Sequence, residues 1–132
     1  MLRARIQWIQ ICVLFLFVAG CGGAGDAPKL NPVHGKVTLD GQPLPNAIVS
    51  FIPPKGPPSG AITDAEGKYE MRFKTGAVGA VVATHSVTVS TDMDGSGAPG
   101  AEKVPPKFNK ETTLSAVVKE GPNEHNFDLQ SK

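Results

Sequence analysis

Residues 69–74 read Tyr-Glu-Met-Arg-Phe-Lys, apolar and charged in strict alternation. Neighbouring side chains of an extended strand point to opposite faces, so this run needs one buried face and one wet face. The same period of two recurs along the chain. Val33, Val37 and Leu39 alternate with His34, Lys36, Thr38 and Asp40, and Val49 and Phe51 with Ile48 and Ile52. Val87 and Val89 stand against Ser86, Thr88 and Ser90, and Leu114, Ala116, Val118 and then His125, Phe127, Leu129 repeat the spacing.

Between these runs lie residues that end strands. Asp40-Gly41 and Asp64-Ala65-Glu66-Gly67 have turn chemistry, Gln42 to Pro45 is stiff and extended, and Pro53 to Pro58 cannot donate a ladder of hydrogen bonds. Asp92 to Lys103 is a polar, glycine-rich excursion, Val104 to Phe108 reads as extended, and Glu120 to Asn123 turns. Gly (15) and Pro (12) are together about a fifth of the 132 residues, roughly double ordinary usage. The pattern predicts an all-β fold, one sandwich of about seven short strands over residues 33–132.

The leading segment has a different character. Arg3 and Arg5 precede an apolar core, Ile11 to Val18, followed by Ala19, Gly20 and Cys21. A basic start, a short apolar stretch and small residues mark a secretory signal, and the core is about half the ~20 residues a membrane-spanning helix requires. Val18-Ala19-Gly20-Cys21 resembles the bacterial lipobox. That resemblance implies cleavage between Gly20 and Cys21, a diacylglyceryl group on the Cys21 sulfur, and acylation of the new amine. Two or three acyl chains anchor firmly where one does not, at about 0.8 kcal/mol per buried methylene. Residues 1–20 are thus read as signal peptide and 21–32, rich in Gly and ending in Pro32, as a flexible tether. The same resemblance implies, from Gly22 in place of an aspartate, the outer membrane or the periplasm and cell surface as destination. Cys12 leaves with the signal and Cys21 carries lipid, so no disulfide is expected and the domain must hold by burial.

Gly35-Lys36-Val37-Thr38-Leu39-Asp40-Gly41-Gln42-Pro43-Leu44-Pro45-Asn46-Ala47, followed by Val49, Phe51 and Pro53, resembles the opening of carboxypeptidase-regulatory-like domains. Thr63-Asp64-Ala65-Glu66-Gly67-Lys68-Tyr69 resembles their second hallmark, a T-D-x-x-G-x-aromatic hairpin. With the lipobox, Val104 to Phe108 and the closing Asn126-Phe127-Asp128-Leu129, the chain is similar to small lipoproteins of planctomycete bacteria. The resemblance implies a prealbumin, transthyretin-like sandwich and no settled activity.

Net charge is +1, which excludes a nucleic-acid binder built on phosphate neutralisation. No Ser lies in a G-x-S-x-G turn and no thiol survives processing, so no catalytic residue is assigned. The chain ends Leu129-Gln130-Ser131-Lys132 where hydroxyisourate hydrolases carry Tyr-Arg-Gly-Ser, and Tyr69 is its one tyrosine where intradiol dioxygenases use two. Asp92, Asp94 and Ser96 place oxygens at alternate positions with Gly97 sixth, like the start of a calcium loop. The twelfth position is Lys103, with Glu102 one step early, so this calcium-like candidate is incomplete and no metal or cofactor is expected. His34 falls on a polar strand face, and His85 and His125 read as partly buried strand-end residues. The expectation is a membrane-anchored, non-catalytic binding or structural module whose partners are the bilayer and an envelope protein or glycan. The alternative is carbohydrate or protein recognition by the loops at 53–60 and 92–103, with a metal-dependent enzyme behind it.

Overall fold

The computed structural model describes residues 28–132, and the signal, cleavage and lipidation sites at Gly20 and Cys21 lie outside the described residues. The chain forms β1 (Leu30–Asn31), β2 (Val33–Leu39), β3 (Gln42–Pro43), β4 (Ile48–Ile52), β5 (Ser59–Ile62), β6 (Lys68–Glu70) and β7 (Arg72–Phe73). It continues through β8 (Ala80–Val81), β9 (Ala83–Ser90), β10 (Leu114–Val118), β11 (Asn123–Glu124) and β12 (Phe127–Leu129). The fold is an all-β sandwich. The seven expected strands are all present, three of them interrupted, and the short β1 and β3 are added to them.

One sheet is built round β2, which pairs in parallel with β11 and β12 on one side and antiparallel with β3 and β6 on the other. The second runs β10-β9-β4-β5-β7, antiparallel throughout. The alternating run 69–74 joins them. Its first half, β6, pairs with β2; its second half, β7, pairs with β5. At the corner Met71 is wholly buried, its N–H donates to Val33 O (2.8 Å) and its carbonyl accepts from Gly79 N–H (2.8 Å). The corner thus keeps its backbone bonded while the strand changes sheets.

The inward faces follow the period of two. Val33, Val37, Val49, Phe51, Met71, Val87 and Val89 have no exposed surface. Phe51 is the hub, with ring centroids 5.6 Å from His85, 5.9 Å from His125, 6.2 Å from Phe127 and 6.4 Å from Tyr69. Asp40-Gly41 makes the two-residue hairpin from β2 to β3, both residues at positive φ (51° and 81°), the geometry such a turn requires.

The structure corrects four local expectations. The folded body begins before Val33, because Leu30 and Asn31 pair with Val81 and Ala80 and the Asn31 side chain accepts from Gly121 N–H (2.9 Å). Ser59 and Gly60 belong to β5 rather than to the preceding loop, and buried Ser59 donates to Gly79 O (3.0 Å). Pro106–Phe108 is a 3-10 turn instead of extended chain, since a proline suits the first helical position, where no N–H is needed. His85 sits in the body of β9 with 1% exposure instead of at a strand end.

Candidate functional site

The outward side chains of the β2 sheet are polar and fall into register as three rows. Glu124, His34 and Glu70 form the first, through the pairings of β11 and β6 with β2. The second holds Asn126, Lys36 and Lys68, with the Lys36 N–H donating to Asn126 Oδ1 (2.9 Å). In the third, Thr38 faces Asp128 and its hydroxyl donates to Asp128 Oδ1 (2.7 Å). Twist of the sheet and the hairpin at Asp64 curve these rows into an open concavity of about 1030 Å³.

Rigid elements hold each group. Asp64 Oδ1 accepts from the N–H of Glu66 and of Lys68 (both 2.9 Å), fixing the hairpin that carries Lys68. Gly67 takes φ 78° there, where an added Cβ would sit 2.4 Å from Val37 O. Glu66, 3.0 Å from the Lys68 ammonium, raises its pKa by hydrogen bonding and charge. Asn126 Nδ2 donates to Glu124 (3.0 Å), whose other oxygen lies 3.7 Å from His34. Arg72 binds Glu70 at 3.1 Å. Lys36, in the middle, has no ion pair among the described residues.

Behind the face stands Tyr69, whose hydroxyl donates to the His125 carbonyl. Burial, and secondarily the charge of Glu124, push its pKa far up, so the phenol stays a donor. The bond passes directly behind Gly35, where an added Cβ would lie 1.8 Å from His125 O and 2.9 Å from the Tyr69 hydroxyl. Glycine at 35 is therefore what lets β2 approach the last strands this closely.

The concavity carries four carboxylates (Asp64, Glu70, Glu124, Asp128) and two ammonium groups (Lys36, Lys68) with hydroxyl and amide groups between them. Such a surface hydrogen-bonds along its length and offers a ligand both donors and acceptors. The period of two marks its β2 and 126–128 residues as solvent-facing. What the sequence lacks is any signal for a parallel pairing across about ninety residues, which creates the rows.

The expected loop sites lie elsewhere. In the 92–103 loop, Asp92 Oδ2 accepts from Gly97 N–H (2.9 Å) and Asp94 Oδ1 from Ser96 N–H (3.1 Å). Glu102, although exposed, clasps the base of the loop, accepting from Ser90 and Thr91 hydroxyls and from Thr91 and Val104 N–H. Burial acts to raise its pKa, but these donors outweigh it and the net direction is down. The nearest acid to the missing twelfth position is thus committed to loop closure. Asp92 Oδ1 is buried with no partner, while Asp94 is held below its ordinary pKa chiefly by Ser96. Among the described residues no three His, Cys, Asp or Glu side chains gather as a metal-binding group. The three histidines stay apart in role. His34 lines the concavity, His85 donates from Nε2 to Val81 O (2.8 Å) inside the core, and His125 donates from Nε2 to Val117 O (3.0 Å) between the sheets. In the loop at 53–60, Pro54 to Gly56 are exposed.

No family model matches the chain, and no curated protein matches it. Among solved structures it is similar to a DUF3823 family protein from Parabacteroides merdae, at TM-score 0.48 and 15% identity, over 77% of this chain and 46% of that one. The chain spans less than half the length of that protein.

Proposed function

We propose that this chain is an exported lipoprotein, acylated at Cys21, whose β-sandwich is a non-catalytic recognition module of the cell envelope. The recognition half of this reading rests on one observation: a concavity spanning three strands and lined by polar groups of both signs. Its ligand carries hydroxyl, amide or amine groups, and a glycan or an extended peptide of the envelope meets that description. The anchor half rests on Val18-Ala19-Gly20-Cys21. The transthyretin-like relationship belongs to the same proposal and is supported by the two motifs at 35–53 and 63–69.

Two experiments test the halves separately. Mass spectrometry of the mature amino-terminal peptide is expected to find diacylglycerol on Cys21 with residues 1–20 removed; an unmodified Cys21 ends the anchor reading. A glycan and peptide array is expected to show binding that Lys36→Glu and Asp128→Ala abolish. Binding that survives both changes moves the ligand off this face.

A further inference from the structure

The outward face of the second sheet has a knob and a hole on one strand. Ile62 on β5 is the most exposed large apolar side chain among the described residues, at 57%. Two residues earlier on the same face is Gly60, which opens a shallow depression of about 550 Å³ beside Ile48. Nothing in the fold requires glycine there. Its φ lies outside the left-handed region, and an added Cβ would meet only Val49 O, at an ordinary 3.7 Å. Gly35, in the other sheet, has a clash to explain it; the notch at Gly60 is unexplained by its own chain.

We infer that this face binds a second copy of the chain, the Ile62 of each copy seated in the Gly60 notch of the other. A twofold axis lying in the contact plane, across the strands between residues 60 and 62, achieves this with one operation. It sets each Ile62 over the partner copy's Gly60, and each Ile48 over its Ser50, because Ile48 pairs with Ile62 and Ser50 with Gly60. Knob and hole belong to the same surface, which makes the face complementary to itself rather than to an unrelated shape. The outward positions of β4, β5, β9 and β10 are uncharged (Ile, Val, Ser, Thr and Gly), and the ions nearest the contact, Arg72 and Glu70, border the notch on the β7 side, where they pair with each other at 3.1 Å. Four strands about 4.8 Å apart and five residues of about 3.3 Å each cover roughly 19 by 17 Å, which places the contact in the small, exchanging class. This inference is independent of the anchor; Ile62 also borders the concave face but Gly60 does not, so Gly60→Leu tests the contact apart from ligand binding there.

The test uses the full chain in cell membranes with Ser50→Cys, treated with a short bis-maleimide and resolved by mass. The chain without the added cysteine controls for Cys12 and Cys21. A crosslinked species of two chains is expected from Ser50→Cys and not from Lys36→Cys on the other sheet. Adding Gly60→Leu, which fills the notch without backbone strain, or Ile62→Thr, which shortens the knob and keeps a β-branched residue, is expected to cut the yield about tenfold. Thermal melting of each variant establishes that it is folded. Equal yields at positions 50 and 36, no two-chain product, a product with a different protein, or a yield unmoved by Gly60→Leu and Ile62→Thr overturns the inference.

Discussion

The two sheets share one core but present opposite chemistry to water. The outward face of the β2 sheet is crowded with ionisable groups, His34, Lys36, Lys68, Glu70, Glu124 and Asp128 among them. Across the core, β9 shows only Thr84, Ser86, Thr88 and Ser90, and β4 shows Ile48, Ser50 and Ile52. Both patterns satisfy the period of two equally well. The inward residue decides the fold, and the outward one is free to be chosen for something else. Charge suits a face that engages polar ligands through water and hydrogen bonds. An uncharged, β-branched face costs little to desolvate and suits contact with another flat surface.

The largest expected difference between the two faces lies in their glycines. Gly35→Ala drives a Cβ into the His125 carbonyl and should cost about 3 kcal/mol or more, whereas Gly60→Ala should fall within about 1 kcal/mol of the parent and can stabilise it. Urea denaturation of the two variants checks this, and equal costs would mean that close approach is no special property of the β2 sheet. A smaller effect is expected at Asn126→Ala, which releases the Lys36 N–H and unties the last strand from β2 for about 1 kcal/mol. Hydrogen exchange at Lys36 should quicken while Thr88 in the other sheet keeps its protection.

The smallest effect concerns acid. Because the folded-state pKa of Glu102 is depressed, its contribution is fully present above its unfolded value, about pH 4.3, and fades as pH falls through the lowered value. Amides of the 91–104 loop should lose exchange protection over that window. In Glu102→Gln the protection should be lower at neutral pH and flat with acidification, and a parent-like acid response in that variant assigns the effect to another group.

Much of this fold is legible in the sequence, for a local reason. Alternation at 33–39, 48–52, 69–73 and 86–90 reports burial of each strand directly, and the inward residues named from it are buried, apart from Leu39, which is half-buried at the end of its strand. Turns were equally open to reading, since Asp40-Gly41 and Asp64 to Gly67 carry their own geometry. The concave face was not, because it depends on which strand lies beside which. Nothing within Asn126-Phe127-Asp128 says that it runs parallel to Lys36-Val37-Thr38, so the rows exist only after the chain has folded. The swap of sheets at Met71 was hidden for the complementary reason. Alternation continues unbroken through it, and period carries no information about a strand's partner.

The β1 clasp has a mechanical consequence. Leu30 and Asn31 meet β8 over two residues only, with Asn31 further tied to Gly121, whereas β2 is bonded along both of its sides. A tug transmitted from the preceding chain therefore loads the short clasp first. Its few bonds part in turn and can close again when tension drops, while the sandwich behind them stays intact. β1 thus acts as a strain relief, much as a cable is tied off just before it enters a housing.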